Sequence, residues 1–237
     1  MVKRNIVIWS GGADSTLLLD NLAREGEEVY AISFEPSFIT INKLAMEHKQ
    51  RENLRKEFKY RGYNIQYITI KVETDAIRIR HSECGGLTHP VAWALMILPY
   101  ICDGDILNFG YIKADHFWQF EPHFKTMLDA AFKLLAVQAF VEYPLEFTSK
   151  ATVLKELYAR NLLDFIWSCQ LPREMDLPCK NCHSCENMVG ALIQLMLQGH
   201  LWAEKYLKTY IDDPALISQW KKEFIDFQEE RTHTHEK

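Results

Sequence analysis

Residues 6–20, IVIWSGGADSTLLLD, hold the first group of side chains able to do chemistry. Gly11 and Gly12 stand where an apolar run gives way to a helical pattern, and two adjacent glycines carry a backbone-entropy cost. At a strand-to-helix turn that cost is offset by close approach. Without side chains in the way, backbone N–H groups converge on an anion, and the positive end of the following helix adds to the attraction. Ser10 and Ser15 add hydroxyl donors. Asp14 repels phosphates unless a cation lies between, and Mg²⁺ takes carboxylate and phosphate oxygens together. The candidate phosphate-binding set is therefore Ser10, Gly11, Gly12, Asp14, Ser15 and Thr16, with Asp14 also a candidate catalytic residue through the metal. The turn lacks the lysine of the GxxxxGK[ST] phosphate loop and is not the GxGxxG dinucleotide pattern. A tight serine-capped connection is the plainer reading of a bare Ser-Gly-Gly; the longer string Ser-Gly-Gly-x-Asp-Ser is far more specific.

The second group is Cys169, Cys179, Cys182 and Cys185, the last three forming Cys-x2-Cys-x2-Cys. Such spacing turns neighbouring thiolates towards one centre, and four of them complete a tetrahedral Zn²⁺ site with no open position, a structural arrangement. An irregular loop with little apolar content gains its order from such an ion. An iron–sulfur cluster and a redox pair are the competing readings of the same ligands. His183 lies inside the cluster as a bystander, and Cys84 and Cys102, with no partner spacing, read as buried or free thiols.

The elements that must position these groups alternate along the chain. NIVIWS, EVYAISFE, NIQYITIK, DILNFGYI and AFVEYPLE read as five strands. Between them STLLLDNLAREG, NKLAMEHKQRENLRKEFKYRG, HPVAWALMILPYI and HFKTMLDAAFKLLAVQ read as helices, followed by SKATVLKELYARNLL, with Gly26 and Gly62 as stops, Pro90 in a first turn and Ser149 as a cap. This alternation predicts an α/β fold, a doubly wound parallel five-stranded sheet, whose ligands bind at the carboxyl ends of strands. Beyond about residue 165 the texture becomes loop-like. VGALIQLMLQGHLWAEKYLKTYI and PALISQWKKEFIDFQEE then read as two helices, carrying Trp202 and Trp220. The expected organisation is an α/β domain over 1–165 that carries the phosphate-binding turn and, over 166–237, a cysteine-rich zinc loop with C-terminal helices packed on the first.

With 237 residues, 48% hydrophobic and 25% charged, the chain has the composition of an ordinary globular protein. A net charge of −5 argues against a general electrostatic footprint for nucleic acid. No apolar run approaches a membrane span, and the N-terminus lacks a signal-peptide pattern. The expected compartment is cytoplasmic, where cysteines are reduced thiols or metal ligands. The run EHKQRENLRKEFKYR reads as a solvated helix face with i,i+4 pairs, and Asp164 as a helix-end charge. In DHFWQFEPH, Trp118 offers a surface for a flat heterocycle, with Asp115 or Glu121 pairing to a guanine-like donor edge; the alternative is that Phe117 and Trp118 plug the end of the sheet.

The glycine turn resembles the PP-loop of the ATP pyrophosphatases. With it come Pro144-Leu145, Ser149-Lys150, Trp167-Ser168-Cys169, the Cys179/Cys182/Cys185 loop, and FGYIKAD with Gly110 and Asp115. In that order these features resemble the 7-cyano-7-deazaguanine synthase family over most of the chain. The resemblance implies cleavage of ATP to AMP and pyrophosphate, with Mg²⁺ and Zn²⁺ as cofactors. It implies adenylation of the carboxylate of 7-carboxy-7-deazaguanine, attack by ammonia to give the amide, and a second activation that dehydrates the amide to the nitrile. It marks Lys150 as a catalytic candidate, places Gly110 and Asp115, beside Trp118, at the substrate, and suggests a homodimer. Four segments depart from the family. FEPSFITINKL stands for Asp-Tyr-Gly-Gln-(Arg/Lys)-His, CGGLTHP for Pro-Gly-Arg-Asn and HFWQFEPHF for Tyr-Pro-Asp-Cys-Arg, and CENMVG lacks the arginine that follows the last cysteine. These departures admit a relative that stops at the amide or joins the activated base to a protein or nucleic-acid acceptor. They also admit a zinc-bearing module that binds ATP without turning it over.

Overall fold

A computed structural model describes residues 3–36, 40–72, 88–172, 174, 176–211, 213, 215, 217 and 222. The chain divides into two compact units, Met1–Trp167 and Ser168–Lys237.

In the first unit five strands, β1 (Asn5–Ile8), β2 (Val29–Pro36), β3 (Ile65–Val72), β4 (Ile106–Asn108) and β5 (Phe140–Glu142), form one sheet in the order β3-β2-β1-β4-β5. Every pairing is parallel. The chain winds outward from β1 to β3, then crosses to β4 and β5 on the other side. The order therefore reverses between β1 and β4, and an open parallel sheet has its crevice at that switch point. This is the fold class expected from the alternation of elements.

Period-two side chains divide the sheet into two faces. Ile6, Ile32, Phe34 and Leu107 point to one, where they meet Ala94 and Ile97 of α3 (Thr88–Ile97) and Phe124, Leu128 and Phe132 of α4 (Glu121–Leu135). Val7 and Ala31 are buried on the other. Trp9, just past β1, lies 5.5 Å from Tyr67 of β3, and Arg55 of α2 (Ile41–Tyr60) covers both rings.

Helices α1 (Ala13–Arg24) and α5 (Lys150–Ala159) pack together, and ion pairs join them at both ends. Lys150 Nζ lies 2.7 Å from Asp14 Oδ2 near their N-termini, and Arg160 Nη1 lies 2.7 Å from Asp20 Oδ2 further along. Pairing start with start makes the helices parallel. Asp20 is fully buried, and Arg61 and the Tyr63 hydroxyl also reach it, so its charge is compensated as burial requires.

Several boundaries differ from the sequence reading. Helix α1 begins at Ala13, and Gly12 caps it in an extended conformation. The fourth strand stops at Asn108 because Gly110 already packs on α1. The fifth stops at Glu142, just before Pro144, which has no N–H for a ladder. Ser149 caps α5 as expected, its hydroxyl accepting from Thr152 N, and Gly26 and Gly62 hold the left-handed conformations of helix stops.

In the second unit the helix read over 189–211 is two. Helix α6 (His183–Leu197) begins inside the cysteine loop, and α7 (Trp202–Tyr210) follows a break. Gly199, at φ +86°, ends α6: its N–H reaches Met196 O and that of His200 reaches Leu195 O, the Schellman pattern. Most of the helix read over 214–230, including Trp220, lies outside the described residues. Among the described residues no helix is long and apolar enough to cross a membrane.

Candidate functional site

The glycine turn sits at the carboxyl end of β1, beside the switch-point crevice. Gly11 has φ +85°, a left-handed conformation that glycine adopts without a Cβ penalty. Gly12 N donates to Ser10 Oγ at 3.2 Å, and that hydroxyl also meets Ser15 Oγ at 3.2 Å. The serines therefore brace the turn across its mouth. The first N–H groups of α1 have no acceptor within the helix, and they open on a cavity of about 260 Å³ lined by Ser10, Gly12, Asp14, Ser15, Gly110, Asp115 and an aromatic wall. A smaller cavity of about 110 Å³, with Phe34, Lys43 and Glu47 in its wall, shares Ile8, Ser10 and Trp93 with the first. Trp93, stacked on Phe34 at 4.6 Å, stands at both.

Gly110 closes the crevice from the β4 side. A Cβ there would stand 3.1 Å from Ser15 N and 3.2 Å from Ser15 Cα, so a side chain would press on the backbone of the first turn of α1. Asp14 has two different oxygens. Oδ2 accepts from Lys150 at 2.7 Å, while Oδ1 is buried with no hydrogen-bond partner among the described residues. An orphaned carboxylate oxygen beside the larger cavity suits a hard cation such as Mg²⁺.

The expected site residues do not all converge. Ser10, Gly12, Asp14, Ser15, Gly110 and Asp115 line the larger cavity, with Gly11 shaping the turn behind them and Lys150 reaching Asp14. Thr16 does not face it. Its fully buried hydroxyl accepts from Trp9 Nε1 at 3.2 Å, holding α1 to the end of β1. Trp118 is also displaced from the expected place. Its Nε1 donates to Ile112 O at 2.7 Å, and its ring meets Phe117 and Tyr143 edge-on. Phe117 is buried and stacks on Tyr111 at 3.7 Å, so this pair belongs to an aromatic plug, and the cavity wall is built from Trp93, Phe109 and Tyr111. Asp115 Oδ2 accepts from Ile112 N at 2.8 Å, which pins its loop.

Sequence reasoning missed Trp93, Tyr111 and Arg51. Trp93 and Tyr111 stood in segments read as core helix and strand, where an aromatic gives no separate signal. Arg51 stood in a run read as a solvated face. The i,i+4 pairs are there, Glu47–Arg51 at 3.6 Å and Glu57–Arg61 at 2.8 Å, but Arg51 is buried and Glu47 nearly so. Burial pulls the Arg51 guanidinium below its ordinary value and pushes the Glu47 carboxyl above its own.

In the second unit Cys169, Cys179, Cys182 and Cys185 are all buried, with their sulfurs within 4.8 Å of one another. Cys182–Cys185 is 3.5 Å and Cys179–Cys185 is 3.9 Å. A tetrahedral Zn²⁺ with its usual Zn–S length spaces sulfurs about 3.8 Å apart, whereas a cluster interposes sulfide between its irons and needs wider ligands. The geometry therefore fits one zinc ion. Backbone N–H groups point at the thiolates: Cys179 N lies 3.2 Å from Cys169 Sγ and Gln170 N 3.5 Å from Cys182 Sγ. Burial opposes the Cys182 thiolate, yet the backbone N–H groups of Gln170 and Cys185 and the neighbouring Cys179 and Cys185 thiols bring its thiol down to about 7. His183 heads α6 and bonds Asn187, outside the cluster, and Cys102 is exposed and free. Cys84 lies outside the described residues.

No family model matches the chain. It is 24% identical to the 7-cyano-7-deazaguanine synthase of Thermoplasma volcanium, over 89% of this chain and 95% of that protein. This is a distant likeness, spread over almost the whole of both chains, to the family whose motifs the sequence resembles.

Proposed function

We propose that this chain is an ATP-dependent carbon–nitrogen ligase that adenylates the carboxylate of 7-carboxy-7-deazaguanine and delivers it to ammonia, giving 7-cyano-7-deazaguanine by way of the amide. The observation that carries this reading is the glycine turn at the switch point, with Asp14 and Lys150 joined above it, in a chain similar to a synthase of that name.

A carboxylate is a poor electrophile, and adenylation converts its oxygen into a leaving group. One carboxylate oxygen attacks the α-phosphorus of ATP and pyrophosphate departs. Ammonia then attacks the acyl carbon and AMP departs, leaving the amide. In a second round the amide oxygen is adenylated, and loss of AMP and protons leaves the nitrile. No side-chain nucleophile is needed. The residues here bind and orient. The free N–H groups of α1 and the hydroxyls of Ser10 and Ser15 suit the departing pyrophosphate, and Lys150 supplies a fixed positive charge. Asp14 Oδ1 would hold Mg²⁺, which when bound offsets phosphate charge. Trp93 and Tyr111 offer flat apolar surface to a heterocycle. The four cysteines would hold a structural zinc ion.

The test is purified protein with Mg-ATP, 7-carboxy-7-deazaguanine and ammonium, read by mass spectrometry, alongside Asp14→Ala. The expected result is nitrile and AMP with the native chain and neither with the variant. ATP binding with no AMP formed would overturn the ligase reading in favour of a binding module. One observation favours a second reading. The segment in place of Tyr-Pro-Asp-Cys-Arg folds as an aromatic plug, which alters the acceptor side while sparing the nucleotide turn. Amide alone, or transfer to an amine on another molecule, would be the product in that case.

A further inference from the structure

Arg51 is among the largest fully buried side chains of the described residues, with 2% of its surface exposed. Removing a guanidinium from water is costly, and an apolar residue of the same volume fills such a space at less expense. Two features mark this position. The first is its stem. A Cβ on Gly11 would stand 3.0 Å from Arg51 Cγ, with Arg51 N and Glu47 O at 3.9 and 3.8 Å. Helix α2 thus forms the surface against which the left-handed residue of the turn is pressed. The second is its head. Nη2 donates to Glu35 Oε1 at 3.1 Å at the end of β2, and Nη1 pairs with Glu47 Oε2 at 3.6 Å. Glu47 lines the smaller cavity, facing Lys43 at 3.6 Å.

We infer that Arg51 is a positioning residue for the nucleotide turn. Its stem backs Gly11, and Glu35 and Glu47 fix the stem by holding both arms of the guanidinium. The inference rests on the reading of this turn as the ATP site. Each part of the side chain has its own share. An apolar stem alone supports the backbone but is not held by the two carboxylates, which it leaves without their cation. A lysine restores the charge but not the fork that spans two carboxylates.

The experiment measures binding of Mg-pyrophosphate and of adenosine to the native chain and to Arg51→Lys, Arg51→Met and Glu35→Gln, with thermal unfolding of each. Adenosine is followed by ligand-observed NMR. Displacing a binding turn by a fraction of an ångström costs on the order of tenfold or more. Pyrophosphate affinity should fall by about that factor in Arg51→Lys, and further in Arg51→Met, with adenosine binding unchanged. A side chain that merely stabilises the fold would lower the unfolding temperature and weaken both ligands together or neither, and that pattern overturns the inference. Glu35→Gln keeps the shape of the site and frees one arm of the guanidinium. It tests the same point should the Arg51 variants not fold, and native pyrophosphate affinity in it overturns the inference. A native chain that binds neither Mg-pyrophosphate nor Mg-ATP overturns the proposed function as well. Native binding with unaffected folded variants overturns the role of Arg51 alone.

Discussion

Lys150 and Asp14, 136 residues apart in the chain, meet at 2.7 Å where α5 and α1 both begin. The Arg160–Asp20 pair holds the same two helices further along, so the Lys150 ammonium is aimed by the parallel packing of two helices.

Lys150→Ala should therefore leave the fold nearly intact. The Lys150–Asp14 pair is partly exposed, which limits its contribution to about 1 kcal/mol or less. AMP formation should fall by about 10²–10³-fold, as for loss of one preorganised charge at a reacting group. Urea unfolding and an AMP-release assay on the same preparation check both. Large destabilisation with little kinetic loss would make Lys150 a strut.

Gly110→Ala should fail for a steric reason. The new methyl meets backbone of α1 at 3.1–3.3 Å, and overpacking of this kind costs about 1–3 kcal/mol. Pyrophosphate affinity should fall with stability, because the displaced atoms belong to Asp14 and Ser15. Gly190, in α6, is the internal comparison: no atom lies within 4 Å of a Cβ there. Gly190→Ala should stabilise by about 0.5–1 kcal/mol through helix propensity. Thermal melts of the pair decide the matter.

One zinc ion per chain should be found by elemental analysis. A strong chelator should remove it, and Cys185→Ser, at a fully buried position, should prevent its retention. Circular dichroism should then show helix lost from α6, whose first turn carries Cys185. Release should grow as pH falls, since each thiolate must take up a proton to leave the metal. Iron in place of zinc, or intact helix after chelation, would count against a structural zinc site.

Three phenols should be silent in an alkaline titration. Burial pushes Tyr67, Tyr111 and Tyr143 well above the ordinary tyrosine value. The raised groups favour the folded state as long as the phenols stay neutral. That stability is fully present below the unfolded value of about 10 and is lost as pH rises above it towards the folded values. The tyrosinate absorbance of these three should appear together with unfolding, and a gradual rise in the folded protein would show that water reaches the phenols without it.

The reading of the chemistry from sequence went furthest where the determinants are short in range. Gly11, Gly12 and the apolar run before them state a strand-to-helix turn within eight residues. Ser149 states a cap, and Cys179, Cys182 and Cys185 state a metal loop, because each works through neighbours a few bonds away. It went astray where a residue's role depends on what packs against it. Trp118 and Tyr111 are both aromatics near the end of β4, and nothing local says which faces the cavity. Arg51 has the surroundings of a surface arginine in its own helix. Only the approach of β2 and of the glycine turn to that helix buries it.

The sequence by itself determined the alternation of strands and helices, the glycine turn between β1 and α1 and the grouping of the four cysteines. These follow from periodicity, backbone freedom and ligand spacing, all of which are local. The tertiary structure alone decided that Lys150 joins Asp14, that Gly110 lies against the first turn of α1, and that Trp93 and Tyr111, rather than Trp118, form the wall. Those facts depend on the order in which the strands lie side by side and on which helix packs on which face. That order is settled by the burial of the whole apolar surface, and no single segment carries it.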